Sequence, residues 1–388
     1  VNHEVTRLAA SLEAPPTPKR TRFEEAWRLF RRNRMALAGL VIFALFFLVA
    51  VAGLALTSGS RPLLDPSVVR LPEKLRPPLS MPHLESLKPA ELPALGVYLF
   101  GTDDLGRDVF ARMLQGAWVS LTVGFVAVGI SVVIGIVMGG LAGFYGQRYI
   151  RLEQLLVTTM LLTGAGLLAA GLRAWGALLL AAGHAWLFWS ISPWGLQRWK
   201  TLPAGLMLLR RNTLMVDTVI MRFVDIMLCF PSFFLILTVV ALLPASIYNI
   251  MIVIGLTSWE GTTRFVRAEF LSLREQDFVA AARALGVGNL RIIFRHMVPN
   301  AVAPVLVSAT IGIASAILTE AGLSFLGFGV PPPHATWGNI LSDGKRFIFD
   351  APWLTFIPGA AILIVVLAFN LFGEGLRDIL NPRLREKH

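Results

Sequence analysis

The sequence predicts an all-α, polytopic integral membrane protein. Three observations carry this: of 388 residues 55% are hydrophobic and only 15% charged, uncharged stretches of about twenty residues recur along the chain, and glycine (34) and proline (23) are frequent. A soluble domain carries roughly 25% charged residues. A bilayer core about 30 Å thick needs about 20 apolar helical residues, and Gly and Pro are commoner in such helices than in soluble ones. An ordinary soluble enzyme, a disordered chain and a fibrous chain are excluded. The single cysteine, Cys229, leaves no intrachain disulfide, and no Cys/His cluster has metal-ligand spacing.

Eight candidate spans follow in order. Met35 to Leu56 is the first, and the polar, basic residues 1–34 before it are too long for the n-region of a cleaved signal peptide. Trp118 to Phe144 is the second, with Gly135, Gly139 and Gly143 four apart, a small-residue face for close helix contact. Leu155 to Leu172 and Ala174 to Trp194 are shorter. Phe223 to Trp259 is too long for one crossing and is broken at Pro244, Ser246 and Asn249, so it holds two. Met297 to Leu318 and Leu354 to Phe372 complete the set.

Alternate flanks carry 25 and 10 Lys and Arg, and the richer set includes both termini, which places both in the cytoplasm. The formal charge of +11 thus follows the membrane faces instead of forming one groove, which argues against nucleic acid. Phe23, Trp27 and Phe30 at helical spacing, among Arg28, Arg31, Arg32 and Arg34, predict an interfacial helix over Phe23 to Met35, with a plain basic flank as the alternative. Residues before it, with Pro15, Pro16 and Pro18, read as disordered. The expected organisation is a cytoplasmic tail and interfacial helix over 1–34, a first transmembrane helix over 35–57, an external loop over 58–116 and a transmembrane region over 117–388. The external loop ends in FGTDDLGRDVF, where Asp103, Asp104, Arg107 and Asp108 either pair to fix the next helix or face an external partner protein.

The most informative segment is the cytoplasmic stretch 264–300. Asp277 suits a helix N-terminus, Phe278, Ala281, Ala282 and Leu285 share one apolar face, and Gly286 ends the helix. The expected product is a helix of two to three turns whose small, alanine-rich face lets another protein approach closely, with Arg283 and Arg291 at its rim. Pro299 marks the return to the membrane.

Ala280 to Pro299 resembles the cytoplasmic loop of permease subunits of ATP-binding-cassette importers, E-A-A, three residues, G, nine residues, I-x-L-P. Ala281, Ala282, Gly286 and Pro299 keep the spacing, while Ala280, His296 and Val298 replace the Glu, Ile and Leu. WRLFRRNRMALAGL, FGTDDLGRDVFARMLQGAWVSLTVG, MRFVDIMLCFP, LTEAGLSFLGFGVPPPHATWGNIL, APWLTFIPG and FNLFGEGLRDILNPR are similar to the peptide and nickel importer permeases, specifically their dipeptide and oligopeptide C-type subunit. The resemblance implies a six-span core, a second related permease subunit, two ATPases that hydrolyse ATP with Mg, and an external binding protein that delivers peptide or a similar small solute. One departure is the roughly 65 residues between GFYG at Gly143 to Gly146 and VDTVIMRFVDI at Val216 to Ile226, which we read as an inserted hairpin over 147–212. A pair of helices lying in the interface is its alternative, and Trp186, Trp189, Trp194 and Trp199 suit either.

No G-x-x-x-x-G-K-[ST] phosphate loop occurs, so ATP hydrolysis falls to a partner and the chain is expected to bind no cofactor and hold no catalytic residue. A secondary transporter or channel would show internal repeats, and none is evident. An intramembrane enzyme would need clustered acid or base groups, whereas His3, His83, His184, His296, His334 and His388 are scattered. Glu320, Glu260 and Asp225 lie near span ends, and Glu320 is expected to bond to nearby backbone or to Trp337 rather than to solute.

Overall fold

The computed structural model describes residues 30–31, 33–59, 62–88, 91–169, 171–191 and 212–380. The proline-rich start, most of the expected interfacial helix, and Trp194 and Trp199 lie outside the described residues. In order the chain forms α1 (Arg34–Thr57), α2 (Val109–Tyr145), β1 (Tyr149–Arg151), α3 (Leu152–Ala169), α4 (Arg173–Ile191), β2 (Asn212–Met215) and α5 (Val216–Cys229). There follow α6 (Ser232–Leu242), α7 (Ile247–Thr257), α8 (Trp259–Arg274), α9 (Asp277–Ala284), α10 (Asn289–Phe325), α11 (Trp337–Gly344) and α12 (Trp353–Leu380). Two compact units result, one from Val1–Gly129, Leu237–Gly255 and Leu306–His388, the other from Ile130–Ile236 and Leu256–Val305.

Helices α1, α2, α10 and α12 are long and apolar enough to cross a membrane. The region expected to hold two spans is more broken than its apolar run suggested. Pro231 forces Phe230 into extended backbone (φ −90°, ψ 131°), and α5 and α6 meet there at 81°. Between Leu242 and Ile247 the helix stops again, around Pro244. The apolar α6 and α7 have 11 residues each, about 16 Å of helix, so neither reaches across alone.

In the first unit, Asn33 caps α1 by accepting from the backbone N–H of Met35 and Ala36, both at 3.1 Å, which sets α1 apart from the helical residues Phe30 and Arg31. Helix α1 lies directly on α12: a Cβ at Gly39 would stand 2.7 Å from the Phe372 nitrogen. Phe43 packs with Phe369 (5.0 Å), Phe372 (6.2 Å) and Phe125 (6.3 Å). The α2 helix starts nine residues ahead of the expected Trp118 because Asp108 accepts from the Phe110 N–H at 2.9 Å, as an N-cap does. Trp337, fully buried, donates its indole N–H to the Met113 carbonyl at 3.2 Å, and Thr336 and Asn339 form a capping box that starts α11.

In the second unit, the glycine face of α2 meets α8. Cβ atoms at Gly135, Gly139 and Gly143 would lie 2.6 Å from Thr262, 2.6 Å from the Thr263 carbonyl and 2.5 Å from Phe270 Cβ, so only glycine lets the two backbones approach this closely. The interval 147–212 contains the hairpin α3–α4. Gly164 faces Leu180, Gly176 faces Leu168 and Gly183 faces Leu161, an antiparallel pairing through small residues. Its neck is a two-stranded antiparallel ladder with Tyr149 opposite Met215, Ile150 opposite Leu214 and Arg151 opposite Asn212. Among the described residues that ladder is the only sheet.

Candidate functional site

Helix α9 forms where the sequence placed it. Asp277 opens its first turn, where a carboxylate favours the positive end of the helix, but the cap position is Gln276 and Asp277 makes no capping bond. Leu285 is the C-cap and Gly286 follows in the left-handed region at φ +74°. The Gly286 N–H bonds the Arg283 carbonyl and the Val287 N–H bonds the Ala282 carbonyl, both at 3.0 Å. Together these bonds are a Schellman stop, which only a residue tolerant of positive φ permits at Gly286.

The predicted apolar face divides in two. Ala282 turns inward with Val279, both buried, into a core with Phe144, Val266, Phe270, Ile292, Ile293 and Met297. This corrects the reading of Ala282 as part of the exposed face. Val279, three residues before it, completes an inward stripe that the alternative grouping with Phe278 concealed. Phe278, Ala281 and Leu285 remain outward, Phe278 39% and Leu285 83% exposed. Arg283 is not a free rim charge, since its guanidinium stands 5.2 Å over the Phe144 ring. Arg291 is exposed.

The first turns of α10 include a π turn, Ile292–Met297, in which the Val298 N–H reaches the Ile293 carbonyl. Pro299 has no N–H to give, and the wider turn beside it absorbs the missing bond while aiming Ile292, Ile293 and Met297 at the α9 core. On α8, Arg267 holds Asp217 of α5 through two hydrogen bonds, and Arg264 pairs with Asp225 at 2.8 Å. The platform under α9 is thus bonded on one side and packed on the other.

The acidic motif ahead of α2 is largely buried. Asp103 is fully buried: its Oδ1 accepts from the Leu105 and Arg107 N–H groups at 2.9 Å, and its Oδ2 takes the Arg107 and Arg112 guanidinium groups. Both arginines also reach Asp343, at 3.2 and 2.9 Å, tying the motif to α11. Asp108 is buried as the cap of α2. Of the two roles left open for these residues, fixing the next helix is the one their burial favours. Arg112 and Asp343 were missed as partners. Arg112 lies nine residues after Asp103 and Asp343 lies 240 residues after it, so the spacing within the motif does not reveal them. Asp104 is half-buried, and burial together with the Asp103 and Asp343 carboxylates holds its pKa above the ordinary range. Burial raises Asp108 as well.

Glu320, also fully buried, accepts from the Ser120 hydroxyl at 3.1 Å and the Ser324 hydroxyl at 2.7 Å. Its partners are hydroxyls, not backbone or Trp337, because Thr336 and Ser324 sit at the adjoining corner. His184 bonds the Leu180 carbonyl within its own helix.

Two family models match the chain. Residues 201–386 match the binding-protein-dependent transport system inner membrane component, and residues 21–78 match the N-terminal transmembrane domain of oligopeptide transport permease C. A dipeptide transport system permease protein of Alkalihalophilus pseudofirmus is 35% identical over 363 residues, 94% of this chain and 90% of that one. The chain belongs to this family of membrane permeases. Similar also are an oligopeptide transport system permease protein of Bacillus subtilis, 30% identical with 94% of this chain and 90% of that one covered, and a dipeptide transport system permease protein of Haemophilus influenzae, 32% identical with 96% and 97% covered. As a family member it is a multi-pass membrane permease and not an enzyme. The helices α3 and α4 fall between the stretches that the two models match.

Proposed function

We propose that this chain forms half of the translocation path of an ATP-driven importer for dipeptides, oligopeptides or a related small solute. The carrying observation is that permeases named for dipeptide and oligopeptide transport align with it over more than nine-tenths of its length. A second related permease subunit supplies the other half, two ATPase subunits hydrolyse ATP with Mg, and an external binding protein delivers the solute. Both termini face the cytoplasm, as the Lys and Arg bias supports.

Helix α9 is the lever between ATPase and membrane. Phe278, Ala281 and Leu285 offer an outward face, Gly286 ends the helix abruptly, and Val279 and Ala282 transmit its position to the core shared with α8 and the π turn. The hairpin α3–α4 adds two crossings to the six-span core. Its helices of 18 and 19 residues measure about 27 and 28 Å, close to the thickness of a bilayer core. Exposed Leu156, Leu162, Trp175, Leu178 and Phe188 give the pair an apolar outer surface that suits lipid on the way across.

Reconstitution tests the reading. Solute uptake into vesicles is expected only when the partner permease, the ATPases, ATP and the binding protein are all supplied. Uptake by this chain alone would refute it.

A further inference from the structure

With Asp103 and Asp108 buried, the external segment presents a different surface. Leu79, Met81 and Leu84 are 71%, 75% and 70% exposed, three large apolar side chains within six residues. They are held out by a rigid frame. The Leu75 N–H donates to the Asp103 carbonyl at 3.0 Å, Leu79 to Tyr98 at 2.8 Å, and Tyr98 back to Ser80 at 3.0 Å. Arg76 donates its N–H to the Thr102 hydroxyl at 2.8 Å and its guanidinium to the Met81 carbonyl at 2.9 Å. Glu73, fully buried, accepts from the His83 backbone at 2.8 Å and meets its ring at 3.0 Å.

Between these anchors Pro77, Pro78 and Pro82 restrict the backbone further. Leu75 and Leu79 themselves adopt φ +52° and +62°, the left-handed region that a side chain disfavours. A fold that wanted only a turn would place glycine there. Instead the strained position displays a leucine to the outside, the pattern of strain kept where a contact needs it. Lys74, whose ammonium lies 5.7 Å from the Phe347 ring, links this loop to the turn that carries Phe349, 96% exposed.

We propose that the Leu79–Met81–Leu84 loop is the apolar knob on which the external solute-binding protein docks. The proposal rests on the external placement of this segment and on the binding-protein dependence that the family description states. A preorganised apolar centre with a charged rim is the anatomy of a transient protein interface. Exposed Lys74, Glu85 and Lys88 give that rim charges of both signs. A lipid-facing surface would instead be basic or belted with Trp and Tyr.

The test uses the whole transporter in lipid nanodiscs and the binding protein that stimulates ATP turnover of the wild-type complex. Leu79→Asp and Met81→Asp are expected to raise the half-stimulating concentration of binding protein at least tenfold, with basal ATP turnover unchanged. Leu79→Gly, which suits the left-handed backbone and deletes only the side chain, is expected to behave like Leu79→Asp. Wild-type values in all three variants would overturn the proposal. A bimane label on Met81→Cys, in a Cys229→Ser background, is expected to shift its emission when binding protein is added. Quenching by spin-labelled lipid without such a shift would overturn it in favour of the bilayer. A wild-type complex that no binding protein stimulates would bring down the importer reading and this one together.

Discussion

Substituting Leu285 by Ala separates docking from folding. Leu285 is 83% exposed, so the chain loses almost nothing by its truncation, about 0.5 kcal/mol or less. If α9 seats in a cleft of the ATPase, the same change removes three carbons from a buried contact. At about 0.8 kcal/mol per buried CH2 the loss is about 2 kcal/mol, or roughly 30-fold in affinity. Titration of labelled ATPase subunit against the permease pair in nanodiscs reads that shift directly, and ATP-dependent uptake should fall with it. The control is Val279→Ala, where two carbons leave a fully buried site, so the permease itself loses about 2 kcal/mol before any partner is added. An unchanged ATPase affinity for Leu285→Ala, within about twofold, would refute the lever.

Gly139→Leu is expected to cost about 1–3 kcal/mol by overpacking, because its Cβ would lie 2.6 Å from the Thr263 carbonyl, while Gly129→Leu, with nothing within 4 Å, should leave the melting temperature near wild type. An Arg173→Cys label in a Cys229→Ser background should react with a membrane-impermeant reagent from outside intact cells, and labelling only after lysis would place the hairpin on the cytoplasmic surface. Asp104 carries a raised pKa in the folded chain, so its ionised form penalises the fold and that penalty lifts as pH falls through the raised value. Asp104→Asn should therefore melt above wild type at neutral pH, with the gap closing toward the ordinary aspartate range of about pH 4, and a gap that widens on acidification would contradict the assignment.

The helical membrane fold was legible because bilayer length and lack of charge are one-dimensional signals. So was the end of α9, since positive φ at Gly286 leaves a residue signature. The glycines 135, 139 and 143 announced a close helix contact but not its partner, which is fixed by α8 approaching through Thr262, Thr263 and Phe270. What escaped depended on pairing across the sequence. Arg112 and Asp343 look like unrelated charges until α2 and α11 bring them to Asp103. The bend at Phe230 was hidden inside an apolar run, because hydropathy does not register the direction of an axis. On α9, Phe278, Ala281, Ala282 and Leu285 fit one helical stripe as well as Val279 and Ala282 fit another, and only the packed core chooses between them.

The two strands at the neck of the α3–α4 hairpin have a consequence of their own. Because Ile150 and Leu214 stand as partners across one ladder, the 63 positions between them begin and end at neighbouring points in space. Such a detour is a cassette: a short type I′ turn could splice its stumps, or a reporter domain could take its place, while the flanking helices keep their course.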